Sequence, residues 1–355
     1  NQGGIGHMYH RCTRSDTLYK HCMRSIDLIL KKRMGRNGLP LMRTGDWNDG
    51  LDEIGAHGKG ESVWLGFFVY YIMKGLLDII GKREGEKKKA EYAARMKALG
   101  DAIEKTWRND RYLRAINDDG IEIGIKGSGV WEIDALNGAW AVMADINFDR
   151  ALVGFNTAIS ILERDNVILL GWPALREDSK PYLGRSSKYP EGVRENGMYC
   201  HGEQWLVRAA RILAEKFAER GDQAKAQEYR DIAYRLWLKI SPIAHVQGEE
   251  IELYGGQPNK QSADMLTKYD VGRMIWHGYT GAAGWMVRQA IEGVVGATLN
   301  KGEVVLPNDL DKPRGDMKVH RVLRDLGKSP IRAAGRPSEG RNNASGEREK
   351  ELAGV

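Results

Sequence analysis

At 355 residues the chain is long enough for one large domain or two ordinary ones around a sizeable core, and its 42% hydrophobic content matches a soluble globular protein. The +6 charge comes from 54 Lys and Arg scattered among 48 Asp and Glu, with dense runs only at residues 82–89 and toward the C-terminus, which argues against nucleic-acid binding. Three cysteines, Cys12, Cys22 and Cys200, exclude a disulfide framework and show no metal spacing; with no charged-then-apolar leader, the expected compartment is the reducing cytoplasm.

Apolar residues at three- and four-residue spacing predict a first helix over residues 18–31. A loop follows that concentrates carboxylates, indoles and glycines: Gly45-Asp46-Trp47-Asn48-Asp49-Gly50, then Gly60-Glu61-Ser62-Val63-Trp64. Trp stacks on the apolar face of a pyranose, and a neighbouring carboxylate can bind hydroxyls or protonate a leaving oxygen, so this loop reads as a sugar-handling site. A solvated turn would also be rich in Gly, Asn and Asp but has little use for Trp47 and Trp64. The segment 63–80 is the most hydrophobic of the chain, yet Lys74 and Asp78 interrupt it, and it is expected to be a core helix and not a membrane span.

Helices are predicted next over 62–81 and 90–107, 149–163, and the pair 203–220 and 222–240, the last two joined at Gly221. Paired antiparallel helices separated by long Gly-rich loops suggest a mainly α fold of stacked hairpins, an α/α toroid whose loops build a site at one end. Residues 112–125, around the turn Asn117-Asp118-Asp119-Gly120, and 167–172 read as loop hairpins. Trp140, Trp205, Trp237 and Trp285 lie at helical spacing and are expected in the core.

Two further segments break the helical pattern. Residues 189–202 bring Arg194, Glu195 and His201 into one loop, and Trp276-His277-Gly278-Tyr279-Thr280-Gly281-Ala282-Ala283-Gly284-Trp285 opens a helix predicted over 279–296. A helix N-terminus with small residues is a natural anion site, which makes phosphate a sensible ligand at Thr280 and Gly281; the alternative is that Thr280 caps the helix and the glycines allow close packing. His277 and Asp264, in loops near this motif, are expected beside the pocket. Residues 304–307 read as one strand, and 329–355, rich in Gly, Ser, Asn, Arg and Glu, as a disordered tail.

The segments Gly45–Gly50, Gly60–Leu65, Glu195-Asn196-Gly197 with His201, and Tyr279–Met286 resemble, in order, the motifs of glycoside hydrolase family 94. That family holds the inverting β-glucoside phosphorylases and the C-terminal region of cyclic β-1,2-glucan synthase. The resemblance covers roughly residues 1–315 and implies an (α/α)6 barrel, incomplete at its N-terminus here, as a catalytic portion over 1–300, with a C-terminal β segment beginning at 301–328.

It also implies the chemistry. Asp49, the second Asp of the Asp-Trp-Asn-Asp motif, resembles the general acid, a role that needs a partly desolvated carboxyl. Asp46 and Trp47 match residues that shape the −1 glucose site, Glu195 a carboxylate that contacts the −1 sugar, with Arg194 beside it, and His201, Thr280 and Gly281 the phosphate-holding positions. Inorganic phosphate is then co-substrate and nucleophile, and neither metal nor organic cofactor is expected. The implied partners are a β-linked gluco-oligosaccharide and a second copy of the chain, within a parent that is membrane-anchored if it is a glucan synthase. The Glu-Asn-Gly loop is one Gly shorter than in relatives, which bears on how Glu195 stands against His201. An inverting hydrolase on the same barrel, with Glu195 as base, and a glucan-binding or length-controlling domain of a synthase are the alternative readings.

Overall fold

The computed structural model describes residues 15–248, 250–300 and 303–305. They form a mainly α unit that ends at Gly296 and a small second unit that starts at Ala297.

Three helical hairpins build the first unit. The helix α1 (Leu18–Lys32) precedes them, capped by Thr17, whose hydroxyl accepts from the Lys20 N–H. The helix α2 (Val63–Glu84) starts at Ser62, which accepts from the Leu65 N–H at 3.0 Å, and turns into α3 (Glu86–Glu104) through Gly85 at φ 89°. A residue with a Cβ resists that backbone angle, so glycine sets this corner. The second hairpin pairs α4 (Ala135–Ala144) with α5 (Phe148–Leu162), and the third pairs α6 (Cys200–Glu219) with α7 (Gln223–Ile240). Short helices α8 (Pro242–His245) and α9 (Glu250–Tyr254) follow, then α10 (Thr280–Arg288), which runs on as a π-helical turn over Gln289–Val295.

The first helix of each hairpin packs against the next: α2 on α4, α4 on α6, and α6 on α10. Their seam is aromatic. Trp64 of α2, Trp140 of α4, Trp205 of α6 and Trp285 of α10 form a chain with ring centroids 5.9, 5.2 and 5.8 Å apart, edge to face at each step. Burying each such ring stabilises the fold by about 1.5–3 kcal/mol, and the edge-on geometry adds to that. Trp140 and Trp205 are thus core residues, as their spacing indicates, while Trp237 and Trp285 are partly buried and pack against the core.

Besides the short α8 and α9, one helix of full length, α4, is not expected from the sequence. All ten residues of α4 are buried, so it carries no polar stripe and no 3.6-residue period from which to infer it. Conversely, α2 is long and apolar enough to cross a membrane, but here it lies packed against α3 and α4 with Phe67, Val69 and Met73 buried.

Strands are short and belong to loops. Glu61–Ser62 pairs with Ala115–Ile116, which pairs with Glu122–Ile123 around the expected turn at Asn117–Gly120, and Gly171–Trp172 pairs with Ile133–Asp134. In the second unit Thr298–Asn300 pairs with Glu303–Val305. Most of the segment expected at 301–328 and all of the tail at 329–355 lie outside the described residues.

Candidate active site

The site begins with a buried ionic node under the 45–50 loop. Arg114 donates through Nη1 and Nη2 to the two oxygens of Asp46, at 2.6 and 2.8 Å, and through Nε to Asp134 at 2.9 Å. Ser62 Oγ donates to Asp46 at 2.6 Å, and the Asn48 N–H to the other Asp46 oxygen at 3.0 Å. Ser62 is the N-cap of α2 and Asp134 the N-cap of α4, so Arg114 clamps the loop to the starts of two packed helices. Asp46, expected to shape the −1 glucose site, turns its carboxylate away from the recess and into this node. Its side chain is fully buried with both oxygens engaged, beneath the loop that carries Trp47 and Asp49.

Above this node Trp47, Asn48, Asp49, Glu195, Tyr199 and His201 line a recess of about 70 Å³. Trp47 is gripped on its flanks by Tyr199, His201 and Trp205, with centroids 5.5, 5.2 and 5.1 Å away. Asp49 stands at the mouth, its side chain 78% exposed, paired at 2.7 Å with Arg185. The desolvation expected of a general acid is therefore not built by the described residues alone. Arg185 escaped the sequence reading because its loop has no pattern; it reaches Asp49 because the Ser186 N–H donates to the Gly50 carbonyl and the Arg185 N–H to Asp52 Oδ1, docking that loop on residues 50–53.

Glu195 lies deeper. It is buried, its Oε2 has no hydrogen-bond partner, and burial raises its pKa, with the Asp49 charge adding and Arg194 and Arg185 opposing. Arg194, at φ 55°, sends its guanidinium among three rings, 5.3 Å from Tyr199, 5.5 Å from Tyr189 and 5.9 Å from Trp276. It stands 3.9 Å from Glu195 and 4.0 Å from Asp264, too far for tight hydrogen bonds, and its buried Nε is unpaired. A small sheet makes this meeting: Ser262–Met265 pairs on one side with Met198–Tyr199 and on the other with Met274–His277, setting Asp264 opposite both Tyr199 and Trp276. Asp264 is fully buried, and burial pushes its carboxyl up to about 7, Arg194 opposing and Glu195 adding. His277 ends the outer strand, exposed, and does not line the recess.

His201 occupies the first turn of α6. Its Nε2 is buried without a partner, and burial lowers its pKa to about 4, so the ring is neutral at pH 7. The start of α10 lies against it: a Cβ placed on Gly281 would sit 3.1 Å from His201 Cε1. Thr280 is the first residue of α10 and exposed, and the N-cap is Tyr279, which offers no side-chain cap. Thr280 therefore does not cap its helix, and the first-turn N–H groups remain available to an anion. Arg194 reaches this helix start through Tyr279, whose hydroxyl is 3.5 Å from Nη1, and Gln204 ties α6 to α10 by donating to the Ala282 carbonyl at 2.9 Å. Arg194, Glu195, His201, Thr280 and Gly281 are thus brought together from three segments, with Trp47 and Asp49 completing the recess.

Helical hairpins whose loops bring Trp47, two carboxylates and His201 into one recess are consistent with a carbohydrate-active domain. The model of the glycosyl hydrolase 94 superfamily catalytic domain matches residues 8–296, and the chain belongs to that family. It is 31% identical over 338 residues to the cyclic β-(1,2)-glucan synthase NdvB of Rhizobium meliloti (strain 1021), covering 92% of this chain and 11% of that one. It is 28% identical to solabiose phosphorylase of Paenibacillus borealis, over 74% of this chain and 33% of that protein, and 27% identical to 3-O-β-D-glucopyranosyl-β-D-glucuronide phosphorylase of the same organism, over 81% and 36%. The chain spans about a tenth to about a third of the length of these relatives.

Proposed function

We infer that the chain is part of an (α/α)6 barrel that carries out inverting phosphorolysis of β-glucosidic bonds in a gluco-oligosaccharide. Inorganic phosphate docks at the open N-terminus of α10, against Thr280, Gly281 and the neutral ring of His201. It attacks the anomeric carbon from the face opposite the leaving oxygen, and Asp49 gives that oxygen its proton as the glycosidic bond breaks. The products are α-glucose 1-phosphate and a shortened saccharide. Trp47 offers a ring for the sugar, Glu195 an acceptor for its hydroxyls, and Arg194 a cation beside both. A saccharide seated over Asp49 supplies the cover that the recess lacks on that side.

The observation that carries this reading is the juxtaposition of His201, which shares its recess with Glu195, and an uncapped helix start, an arrangement suited to an anion. A hydrolase has no use for such a site; it would instead need Glu195, the second carboxylate of the recess, to activate water. The 31% identity to NdvB over 92% of the chain favours, as a second reading, a glucan-processing domain within a larger and membrane-associated synthase. Incubating the full-length protein that contains this chain with cellobiose, sophorose and β-1,2-gluco-oligosaccharides, with and without phosphate, separates them. Phosphate-dependent α-glucose 1-phosphate establishes the phosphorylase; sugar release indifferent to phosphate establishes a hydrolase; neither, with saccharide still bound, supports the synthase domain.

A further inference from the structure

The recess around Asp49 has room for about 70 Å³, less than a saccharide chain needs beyond its reacting bond, yet a larger trough lies on the other walls of the same loop. One recess of about 540 Å³ is lined by Asp165, Asn166, Thr267 and Lys268, and a second of about 570 Å³ by Lys188, Tyr189 and Asp178; both include Trp172 and Glu191, where they meet. Each is within the roughly 300–1,000 Å³ of sites that hold small molecules.

The lining has the chemistry of a sugar groove. Trp172 is 39% exposed at the junction, with the Arg164 guanidinium 5.9 Å from its ring. Among the side chains around it are hydrogen-bonding groups of both signs: Glu191 is held by Lys268 at 2.7 Å, and Arg176 grips Asp178 through two bonds of 2.9 and 2.8 Å. An indole amid apolar walls (Val167, Val271, Leu175, Pro190) with donors and acceptors of both signs between them suits a neutral polyhydroxylated chain, whose rings have apolar faces and polar rims; a polyanion would require one sign of charge. The loop 189–197 links the two places, giving Tyr189, Glu191 and Asn196 to the trough and Glu195 to the recess.

We propose that this trough is a second saccharide site, in which Trp172 stacks on a sugar ring of a β-glucan chain longer than a disaccharide. It rests on the reading of the chain as a domain that handles gluco-oligosaccharides. The test measures, by titration calorimetry on the full-length protein, the binding of a β-1,2-linked glucose octasaccharide and of sophorose, with the β-1,4 series in parallel, to the native protein, Trp172→Ala and Trp172→Phe. Trp172→Ala weakens the octasaccharide of the preferred linkage about tenfold or more and leaves disaccharide binding and turnover unchanged; Trp172→Phe keeps most of the affinity, which separates stacking from a folding defect. Disaccharide turnover with octasaccharide affinity untouched by Trp172→Ala overturns the trough alone. No saccharide binding by the native protein overturns both the trough and the functional reading beneath it.

Discussion

Gly281 lies so close to the His201 ring that a methyl group on it would stand 3.1 Å from Cε1 and 3.2 Å from Nδ1. The position is glycine because the helix terminus must approach the imidazole, not because its backbone demands it. Gly281→Ala pushes the ring by a few tenths of an ångström at the proposed phosphate site. We expect the KM for phosphate to rise about tenfold or more and the KM for saccharide to change little, since near-attack geometry is sensitive to small displacements. Steady-state kinetics with each substrate varied in turn checks this; a parallel rise in both constants would detach His201 and Gly281 from the anion.

Asp49 is the proton donor in the proposed reaction, and it is an exposed loop residue whose pairing with Arg185 is a surface contact. Asp49→Asn should therefore fold normally and bind saccharide, while turnover falls by about a thousandfold, in the range of general-acid contributions. An aryl glucoside with an acidic leaving group, which needs no protonation, should recover much of the lost rate. Retained turnover of natural disaccharide by Asp49→Asn would end the assignment.

The loops that carry the site were legible in the sequence because Trp, carboxylate and Gly seldom crowd together without a ligand to serve. The division of labour within them was not. Asp46 and Asp49 flank the same Trp-Asn pair, and it is distant partners, Arg114, 68 positions away from Asp46, and Ser62, that hold the first buried while the second faces solvent. Long-range pairing of that kind leaves no local signature, as with Arg185, which reaches Asp49 through backbone hydrogen bonds of its neighbours. The helix α4 was hidden for the opposite reason: burial on every side erased the periodicity that revealed α5, α6 and α7.

The node at Arg114 yields a stability prediction. Its guanidinium, fully buried, is held by two carboxylates that are themselves buried, so removing it strands both charges. Arg114→Ala should cost about 3–5 kcal/mol, as breaking buried pairs does, and release the 45–50 loop from the helix caps at Ser62 and Asp134. Asp46→Asn keeps the shape and one acceptor, turns the other into a donor that faces donors, and leaves Asp134 paired with the guanidinium, so it should cost less than removing Arg114. Urea unfolding of the three proteins orders them; equal stability of Arg114→Ala and the native protein would mean that the node contributes nothing.

Asp264 gives a pH dependence with a definite sign. Its carboxyl is raised from 3.8 to about 7 in the folded protein, so between those values the native state keeps a proton that the unfolded chain has released. Stability contributed by this group is complete below pH 4 and is lost as pH rises toward 7, with a slope of at most about 1.4 kcal/mol per pH unit. Glu195 is likewise raised by burial, its charge adds to the Asp264 shift, and Arg194 opposes both. His201 works the other way: lowered from 6.5 to about 4, it makes the fold more stable as pH rises through that interval. The native profile mixes these opposing slopes, and the comparison with Asp264→Asn isolates one of them. The variant, which cannot ionise, should lose less stability than the native protein between pH 5 and pH 8, measured by urea unfolding at both values. Parallel pH profiles for the two proteins would show that Asp264 is not held protonated by its burial beside Arg194 and Glu195.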